Sequence, residues 1–521
     1  MKNRIVSHSV VQVLWAIPFL ASIYILWCGN CDKLDQLYDY SIPTYGVAFL
    51  KAGFRPFRDF VTPLPSLMYQ IAGLCEAVFG EKYMALAYGN LILTAALFAV
   101  TVTLARQAFV WREALLLGLA VCAASTLQHG IIWYNCLGIF LVVAVSALCV
   151  AAVRRERMGP IQMVLLTAAL ICAGLTKINF LGAALAVALC CFLCLALAVP
   201  RSWRTQAAAA VIITCAAVGG TVVLELASNR ADLRTYLFNT LILPASRRSN
   251  LRLLLTRSFL LGTVYPYYLR NPFHAVMGFS IVLFFVVALL LKPQSGRFAL
   301  RGARLSLALY FGLAALLVVT NVDICSLSES ILLVGLVVTR CAFGGRLSPF
   351  SSHLLRGAAI LMAVWFVAAG SLSISRHSRL LYGARPQEVR FDKQIEDGGY
   401  LDGVRLSGRS YALIETSGAI LKQFQIGAGS HAVYWGPGLE LLSRVYQTEP
   451  LRGVPLWYHS GITLRPQDVG PLLRLIQNST VRLILCDEQW WDGESPDEMR
   501  TYLASRWEGH KDGDLVYYVR R

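Results

Sequence analysis

Apolar runs of about 18 residues or more recur along the chain, and they constrain its fold more than any other feature. Each run is long enough to form a helix that crosses roughly 30 Å of hydrocarbon. Hydrophobic residues make up 56% of the 521 residues, and the mean hydropathy is +0.57. A soluble domain contains only about 45–50% apolar residues, so the excess is expected to contact lipid. The sequence therefore predicts an all-α polytopic membrane protein.

The apolar runs predict about eleven transmembrane helices. They cover residues 10–28, 83–105, 113–128, 131–152, 160–175, 178–199, 206–227, 272–291, 304–321, 327–343 and 356–375. The first run ends in Leu26-Trp27-Cys28 without a small-x-small cleavage site, so we expect an uncleaved span rather than a signal peptide.

Basic residues are concentrated in every second turn between these runs, which places those turns and the N-terminus in the cytoplasm. The turns hold Lys2/Arg4, Arg106/Arg112, Arg154/Arg155/Arg157, Arg201/Arg204, Lys292/Arg297/Arg301/Arg304 and Arg340/Arg346/Arg356. Three longer segments then lie outside: residues 29–82 (the first outer loop), 228–271 (the basic loop) and 376–521 (the tail). In a bacterium this topology means an inner-membrane protein with a periplasmic tail.

The segments outside the membrane are expected to have structure of their own. In the first outer loop, Tyr38 to Ala52 and Ser66 to Phe79 predict two interfacial helices. In the tail, strand-like and helix-like segments alternate, which is typical of a small α/β domain. The strand-like segments are 432–435 and 481–485, and the helix-like ones are 467–477 and 496–507. The predicted domains are therefore residues 1–375, which span the membrane, and 376–521, outside it.

The formal net charge of +17 raises the question of nucleic acid, but the arginines lie in short clusters between apolar runs, so this partner is not expected. The basic loop is different, because its cations lie on the predicted outer side, whereas loops rich in Lys and Arg normally lie in the cytoplasm. It holds one acid, Asp232, against Arg230, Arg234, Arg247, Arg248, Arg252, Arg257 and Arg270. We interpret these cations as ligands of a phosphate at the membrane surface; contact with lipid headgroups is the alternative.

Fourteen cysteines are present, most of them inside apolar runs, where cysteine behaves as a small hydrophobe. Cys28 and Cys31 form a single C-x-x-C pair at a helix end. No cluster of His, Asp or Glu has the spacing of a metal site, so no cofactor is expected. A divalent metal bound by residues from distant loops stays open.

The first outer loop carries the most specific motif. Asp39 follows the first span, and Gly53-Phe54-Arg55-Pro56-Phe57-Arg58-Asp59-Phe60, Thr62-Pro63-Leu64-Pro65 and Phe79-Gly80 come after it. This pattern resembles the GT-C superfamily, and more closely its bacterial members related to protein mannosyltransferases and aminoarabinose transferases. Gly174-Leu175-Thr176-Lys177 is similar to an outer turn of that family, and Tyr434-Trp435-Gly436-Pro437 with the terminal Val516-Tyr517-Tyr518-Val519-Arg520-Arg521 resembles its soluble domain.

The resemblance implies an integral membrane glycosyltransferase. Such an enzyme moves a hexosyl or pentosyl group from a polyprenyl-phosphate donor to a glycolipid, polysaccharide or protein acceptor on the outer face, with inversion expected. The acceptor hydroxyl needs a carboxylate as general base, and cations stabilise the leaving phosphate. The alternative is a transporter or flippase of lipid-linked saccharides, which would be expected to show intramembrane charges or broken helices in two matching halves.

Candidate site residues follow from position and chemistry. Asp39 is the predicted general base, with Asp35 and Asp59 as alternatives; Asp39 could instead cap a helix, and Asp59 could pair with Arg58 to hold the loop. Lys177, at a predicted outer turn, is expected to bind the donor phosphate, unless it only extends to the membrane interface. The other predicted phosphate ligands are Arg58, Arg247, Arg248, Arg252, Arg257 and Arg270.

Residues that could line the substrate cavity are His129, Tyr134, Asp323 and Glu329. A histidine with satisfied hydrogen bonds at the interface is the simpler interpretation of His129. Pro56, Pro63 and Pro65 restrict the backbone of the first outer loop, which predicts a rigid turn that places Asp39.

Overall fold

The fold is known from a computed structural model of the full chain. It describes residues 2–34, 41–199, 203–242, 272–294, 298–320, 325–375, 390–395, 399–436, 438–456 and 463–521.

Each of the predicted spans coincides with an α-helix. These helices are α1 Lys2–Cys28, α4 Tyr83–Ala105, α5 Trp111–Ala124, α6 Tyr134–Arg155, α7 Pro160–Thr176, α8 Ile178–Ala198, α9 Trp203–Asn229, α11 Pro272–Leu290, α12 Phe298–Thr320, α13 Cys325–Phe343 and α14 Pro349–Ser375. Within the described ranges, seven helices are long and apolar enough to cross a membrane, and α1, α7 and α11 contain shorter apolar stretches. The number of crossings stays a prediction.

The remaining helices are short. They are α2 Ser41–Lys51, α3 Leu67–Phe79, α10 Leu233–Leu237, α15 Gly408–Gln423, α16 Leu441–Val445, α17 Pro466–Gln477, α18 Glu488–Glu494 and α19 Asp497–Arg506. The two helices predicted for the first outer loop are thus confirmed as α2 and α3, and α3 ends at Gly80, whose φ of +93° suits glycine. Their place at the membrane interface stays a prediction.

Seven strands form two small sheets. They are β1 Lys33–Leu34, β2 Phe391–Lys393, β3 Arg405–Ser407, β4 Val433–Trp435, β5 Leu483–Asp487, β6 Trp507–Asp512 and β7 Leu515–Arg520. One sheet has the order β1-β3-β2 and the other β4-β5-β7-β6, with β4 parallel to β5 and the other pairs of that sheet antiparallel. The strands and helices expected in the tail are therefore present, and β6 and β7 are two further strands that the sequence analysis did not predict.

The chain divides into two compact units. The bundle unit comprises Met1–Cys31, Asn90–Thr221 and Asn250–Glu388, and the loop–tail unit comprises Asp32–Gly89, Val222–Ser249 and Val389–Arg521. The domain boundary predicted after residue 375 stays a prediction. The second unit nevertheless groups the first outer loop with the tail, which the sequence did not indicate.

In the bundle unit, α13 is the central helix and packs against α5, α6, α11, α12 and α14. The basic turns gather at one end of this unit: Arg346 pairs with Glu156 at 2.6 Å, and Arg356 donates to Glu113 at 2.8 Å. Large side chains on the outside, such as Ile161 at 76% exposure, suit contact with lipid.

Candidate functional site

Six of the predicted site residues belong to the described part of the chain: Arg58, Asp59, His129, Tyr134, Lys177 and Glu329. The others lie outside the described residues, and their roles stay predictions. These are Asp35, Asp39, Arg247, Arg248, Arg252, Arg257, Arg270 and Asp323.

Asp59 lies in the loop–tail unit, 6% exposed. Its Oδ1 accepts hydrogen bonds from Nε and Nη2 of Arg452 at 3.0 and 2.6 Å, and its Oδ2 accepts from the backbone N–H of Arg55 at 2.9 Å. The predicted partner Arg58 is farther away, with Nε 3.7 Å from Oδ1. A carboxylate held by these donors supports the loop-holding interpretation of Asp59 more than that of a general base. Arg452 was not foreseen, because it follows 393 residues later.

Backbone contacts reinforce this connection between the first outer loop and the tail. The N–H of Gly453 donates to the carbonyl of Asp59 at 2.7 Å, and the N–H of Leu456 donates to the carbonyl of Val61 at 2.9 Å. Phe57 adopts a φ of +64°, which is uncommon for a residue other than glycine. The surrounding contacts therefore hold a turn that the isolated sequence would not favour.

The start of α2, two residues after Asp39, is fixed by a buried carboxylate of the tail. Oε2 of Glu440 accepts hydrogen bonds from Oγ of Ser41 at 3.1 Å and from the N–H of Gly438 at 3.0 Å. Glu440 is 1% exposed and Ser41 is fully buried. Glu440 therefore connects the start of α2 to Gly438, in the turn that follows β4.

A second buried carboxylate, Glu76 of α3, joins three residues. It lies 2.8 Å from Nζ of Lys51 and 2.5 Å from Nη2 of Arg444, and it accepts a hydrogen bond from the Tyr400 hydroxyl at 3.0 Å. Burial raises the pKa of Tyr400 well above its usual value, and the charge of Glu76 raises it further. Glu81 is more exposed and lies 2.7 Å from Lys51, whose hydrogen bond lowers the pKa of Glu81.

Glu225, near the end of α9, anchors the start of α3. One of its oxygens accepts hydrogen bonds from both N–H and Oγ of Ser66 at 2.8 Å, and the other accepts from Asn229 at 2.7 Å. Negative charge at a helix N-terminus is favourable. An acid inside a predicted span was the sequence feature that could have revealed this contact.

The first part of the basic loop also packs in the loop–tail unit. Tyr236 meets Phe57 edge to face, with ring centroids 5.2 Å apart. The guanidinium of Arg465 lies 4.4 Å from the ring centre of Phe238, which begins a π-helical turn. The entry to the basic loop is thus tied to the same turn as Asp59.

In the bundle unit, three predicted residues form one cluster. Lys177 separates α7 from α8, and its Nζ lies 4.7 Å from the ring centre of Tyr134 at the start of α6. His129 and Trp133 have ring centroids 4.4 Å apart, and Trp133 and Tyr134 are 4.7 Å apart. Helix α6 packs against both α7 and α8, which explains why distant sequence positions meet here.

This cluster lies at the end of the bundle unit opposite the basic turns. Helix α6 begins at Tyr134 and ends at Arg154 and Arg155. The role of Lys177 as a ligand of the donor phosphate stays a prediction. Among the described side chains, no group of three His, Cys, Asp or Glu residues could hold a metal ion.

The long apolar helices, the two helices of the first outer loop and the small sheets together form a fold that is also found in a solved structure. The chain is similar to ArnT from Cupriavidus metallidurans bound to undecaprenyl phosphate, with a TM-score of 0.51 and 15% identity over 97% of each chain. The apo form of that protein gives a TM-score of 0.49 at 14% identity, over 98% of each chain.

An oligosaccharyltransferase from Archaeoglobus fulgidus gives a TM-score of 0.42 at 11% identity, over 97% of this chain and 74% of that one. No family model matches the sequence, and no curated protein matches it. The similarity to ArnT therefore establishes the fold alone.

Proposed function

We propose that the chain is an integral membrane glycosyltransferase that moves a sugar from a polyprenyl-phosphate donor to an acceptor on the outer face of the membrane. The observation that carries this proposal is the GT-C fold, which extends over 97% of both this chain and ArnT, a protein bound to undecaprenyl phosphate in its crystal structure. A donor with a polyprenyl tail lies in the bilayer, so an enzyme that uses it has reason to be embedded there.

In the proposed reaction, the acceptor oxygen attacks the anomeric carbon and forms the new glycosidic bond. The bond between that carbon and the phosphate oxygen breaks, and polyprenyl phosphate leaves with the electron pair. The acceptor proton passes to a carboxylate acting as general base. Inversion at the anomeric carbon follows from a single displacement.

Asp39 is the proposed base, with Asp35 and Asp59 as alternatives. The hydrogen bonds of Asp59 to Arg452 and Arg55 argue for a structural role of that residue. The contact between Ser41 and Glu440 supports Asp39, because it fixes the helix start that follows Asp39. An ordinary aspartate has a pKa of about 3.9 and is ionised at neutral pH.

Lys177 is proposed to bind the donor phosphate, and its half-buried place beside Tyr134 supports this role. The arginines of the basic loop are proposed to contribute further charge, with Arg58 as an additional candidate. Electrostatic stabilisation of this kind needs neither a nucleotide nor a metal ion. The proposed location is the bacterial inner membrane, with the tail in the periplasm.

Two experiments test the proposed activity. Mass spectrometry of envelope glycolipids, polysaccharides and proteins, with and without the gene, should reveal one sugar that is lost from one acceptor. The purified protein in proteoliposomes should then release polyprenyl phosphate from a labelled donor only when that acceptor is present.

The same assay separates the alternative function. A transporter or flippase would move the intact lipid-linked saccharide across the bilayer without breaking its glycosidic bond. Protection of the label without release of polyprenyl phosphate would therefore support a flippase and refute the transferase.

A further inference from the structure

Among the residues that the structure describes, several buried polar atoms in the bundle unit have no hydrogen-bond partner. They include both amide atoms of Asn135, both carboxylate oxygens of Glu329, Oγ of Ser328 and Nε1 of Trp133. Asn135, Ser328 and Glu329 are 0% exposed, and Trp133 is 3% exposed. Buried polar groups are nearly always paired, and leaving one unpaired is costly. Such a group of unpaired atoms indicates a ligand from outside the chain.

These residues belong to the same end of the bundle unit. Helix α6 begins one residue before Asn135, α13 begins three residues before Ser328, and the two helices pack against each other. Both helices finish with arginine in their last turn, at the end where the basic turns gather. Their first turns therefore share the opposite end, where Lys177 also lies beside Tyr134.

Helical periodicity places Asn135 and Ser328 toward the same junction. Ser146 follows Asn135 by eleven residues, about three turns, and its hydroxyl lies 2.5 Å from that of Tyr310 in α12. Gly335 follows Ser328 by about two turns, and it packs so closely on Tyr310 that an added Cβ would lie 2.5 Å from the Cβ of that tyrosine. Asn135 and Ser328 thus lie on the same faces of α6 and α13 as Ser146 and Gly335, the two residues that contact Tyr310.

The chemistry of the unpaired atoms suits a sugar. An amide and a carboxyl group can accept and donate hydrogen bonds with hydroxyl groups, and an indole N–H donates. The neighbouring rings of Trp133 and Tyr134, 4.7 Å apart, provide apolar faces. A site made of such groups selects strongly for ligands that carry the matching hydroxyls.

We propose that Trp133, Asn135, Ser328 and Glu329 bind the glycosyl group of the lipid-linked donor, beside Lys177, which binds its phosphate. This inference rests on the proposed function, and it adds the location where the donor sugar binds. Because these side chains are buried, the proposal requires that neighbouring side chains move when the sugar binds.

The test compares binding of undecaprenyl phosphate with that of undecaprenyl-phosphate-linked glucose, mannose and aminoarabinose to the purified protein in nanodiscs. The wild type should bind one glycosylated lipid at least about tenfold more tightly than undecaprenyl phosphate, because several hydrogen bonds depend on the sugar. Asn135→Leu and Trp133→Phe should reduce this ratio at least about fivefold, while affinity for undecaprenyl phosphate stays within about twofold.

Stability provides a second readout. Asn135→Leu removes amide atoms that have no hydrogen-bond partner among the described residues, so the unfolding temperature should stay the same or rise. Ser146→Ala is the matched control on the same face of α6: it removes a hydroxyl paired with Tyr310 and should lower the unfolding temperature while keeping the sugar preference. A purely structural Asn135 would lower the unfolding temperature and leave the ratio unchanged, which overturns the inference.

The outcomes separate the two proposals. If the wild type prefers a glycosylated lipid and Asn135→Leu and Glu329→Gln keep that preference, the proposed sugar site is refuted. The proposed transferase function is not affected by this result. Loss of acceptor affinity with unchanged donor preference assigns the sugar site to the acceptor and also overturns the inference. Absence of wild-type binding to any of the lipids contradicts the proposed function itself.

Discussion

Glu76 offers the sharpest test of how the first outer loop is held to the tail. Its side chain is fully buried and contacts Lys51 at 2.8 Å and Arg444 at 2.5 Å. Glu81 touches the same two cations at 2.7 and 3.8 Å, but its side chain is 69% exposed. Glu76→Gln and Glu81→Gln therefore remove the same charge from the same partners in two different environments.

The expected cost of Glu76→Gln is about 3 kcal/mol, the lower end of the range for removing one partner of a buried ion pair. Arg444, only 11% exposed, would be left with the distant Glu81 alone, whereas Lys51, at 37% exposure, can turn to solvent. The glutamine can still accept the hydrogen bond from the Tyr400 hydroxyl, so we do not expect a larger loss of stability. Glu81→Gln should cost less than about 1 kcal/mol, as is usual for exposed pairs.

The free energy of unfolding of both variants can be measured on the purified protein in detergent. Tryptophan fluorescence reports the unfolding, because Trp435, Trp490 and Trp491 are buried in the loop–tail unit. Adding Arg444→Met to Glu76→Gln should recover part of the loss, since the unpaired buried charge is then removed. Equal destabilisation by Glu76→Gln and Glu81→Gln would refute the reasoning, because burial would not distinguish the two carboxylates.

Three further predictions concern the rest of the account. Arg452→Met should lower stability more than Arg58→Met, since Arg452 makes two hydrogen bonds to Asp59 and Arg58 lies 3.7 Å away; equal unfolding temperatures would contradict this. Lys177→Met should raise the apparent KM for the lipid donor by about tenfold or more, the loss expected for a charged hydrogen bond, and unchanged donor kinetics would remove the residue from the phosphate site. A C-terminal alkaline phosphatase fusion should be active and a C-terminal green fluorescent protein fusion dark; the reverse pattern would place the tail in the cytoplasm.

The helices were predictable because their cause is local. An apolar run in lipid must satisfy its own backbone hydrogen bonds, so length and composition determine each helix. The turns rich in arginine were similarly informative, and the pairs of Arg346 with Glu156 and of Arg356 with Glu113 place them together at one end of the bundle unit.

The contacts of the first outer loop with the tail were not predictable. Glu76 and Arg444 lie 368 residues apart, and Asp59 and Arg452 lie 393 apart, so no local pattern connects them. The only indication was an acid, Glu76, within an otherwise apolar helix. The sequence identified Asp59 as notable but assigned it the neighbouring Arg58 as partner, because adjacency was the only evidence.

The candidate site was predictable in part. Lys177, Tyr134 and His129 were each selected for a position near an outer turn, and the cation–π contact of Lys177 with Tyr134 and the rings around Trp133 bring them into one cluster. Asn135 was missed because asparagine is common near the start of a helix, so its position alone did not indicate a binding role. Its importance depends on burial without a partner, which only a three-dimensional structure reveals.

The most direct test of the central claim is glycosyl transfer by the purified protein in proteoliposomes, with wild type compared with Asp39→Asn. We expect acceptor-dependent release of polyprenyl phosphate by the wild type and a turnover lower by roughly 10²–10⁴-fold in Asp39→Asn, with expression and donor binding retained. Asp59→Asn should instead lower stability and activity together, because Asp59 holds Arg452. Normal turnover by Asp39→Asn, or no release of polyprenyl phosphate by the wild type with any acceptor fraction from the envelope, would contradict the account.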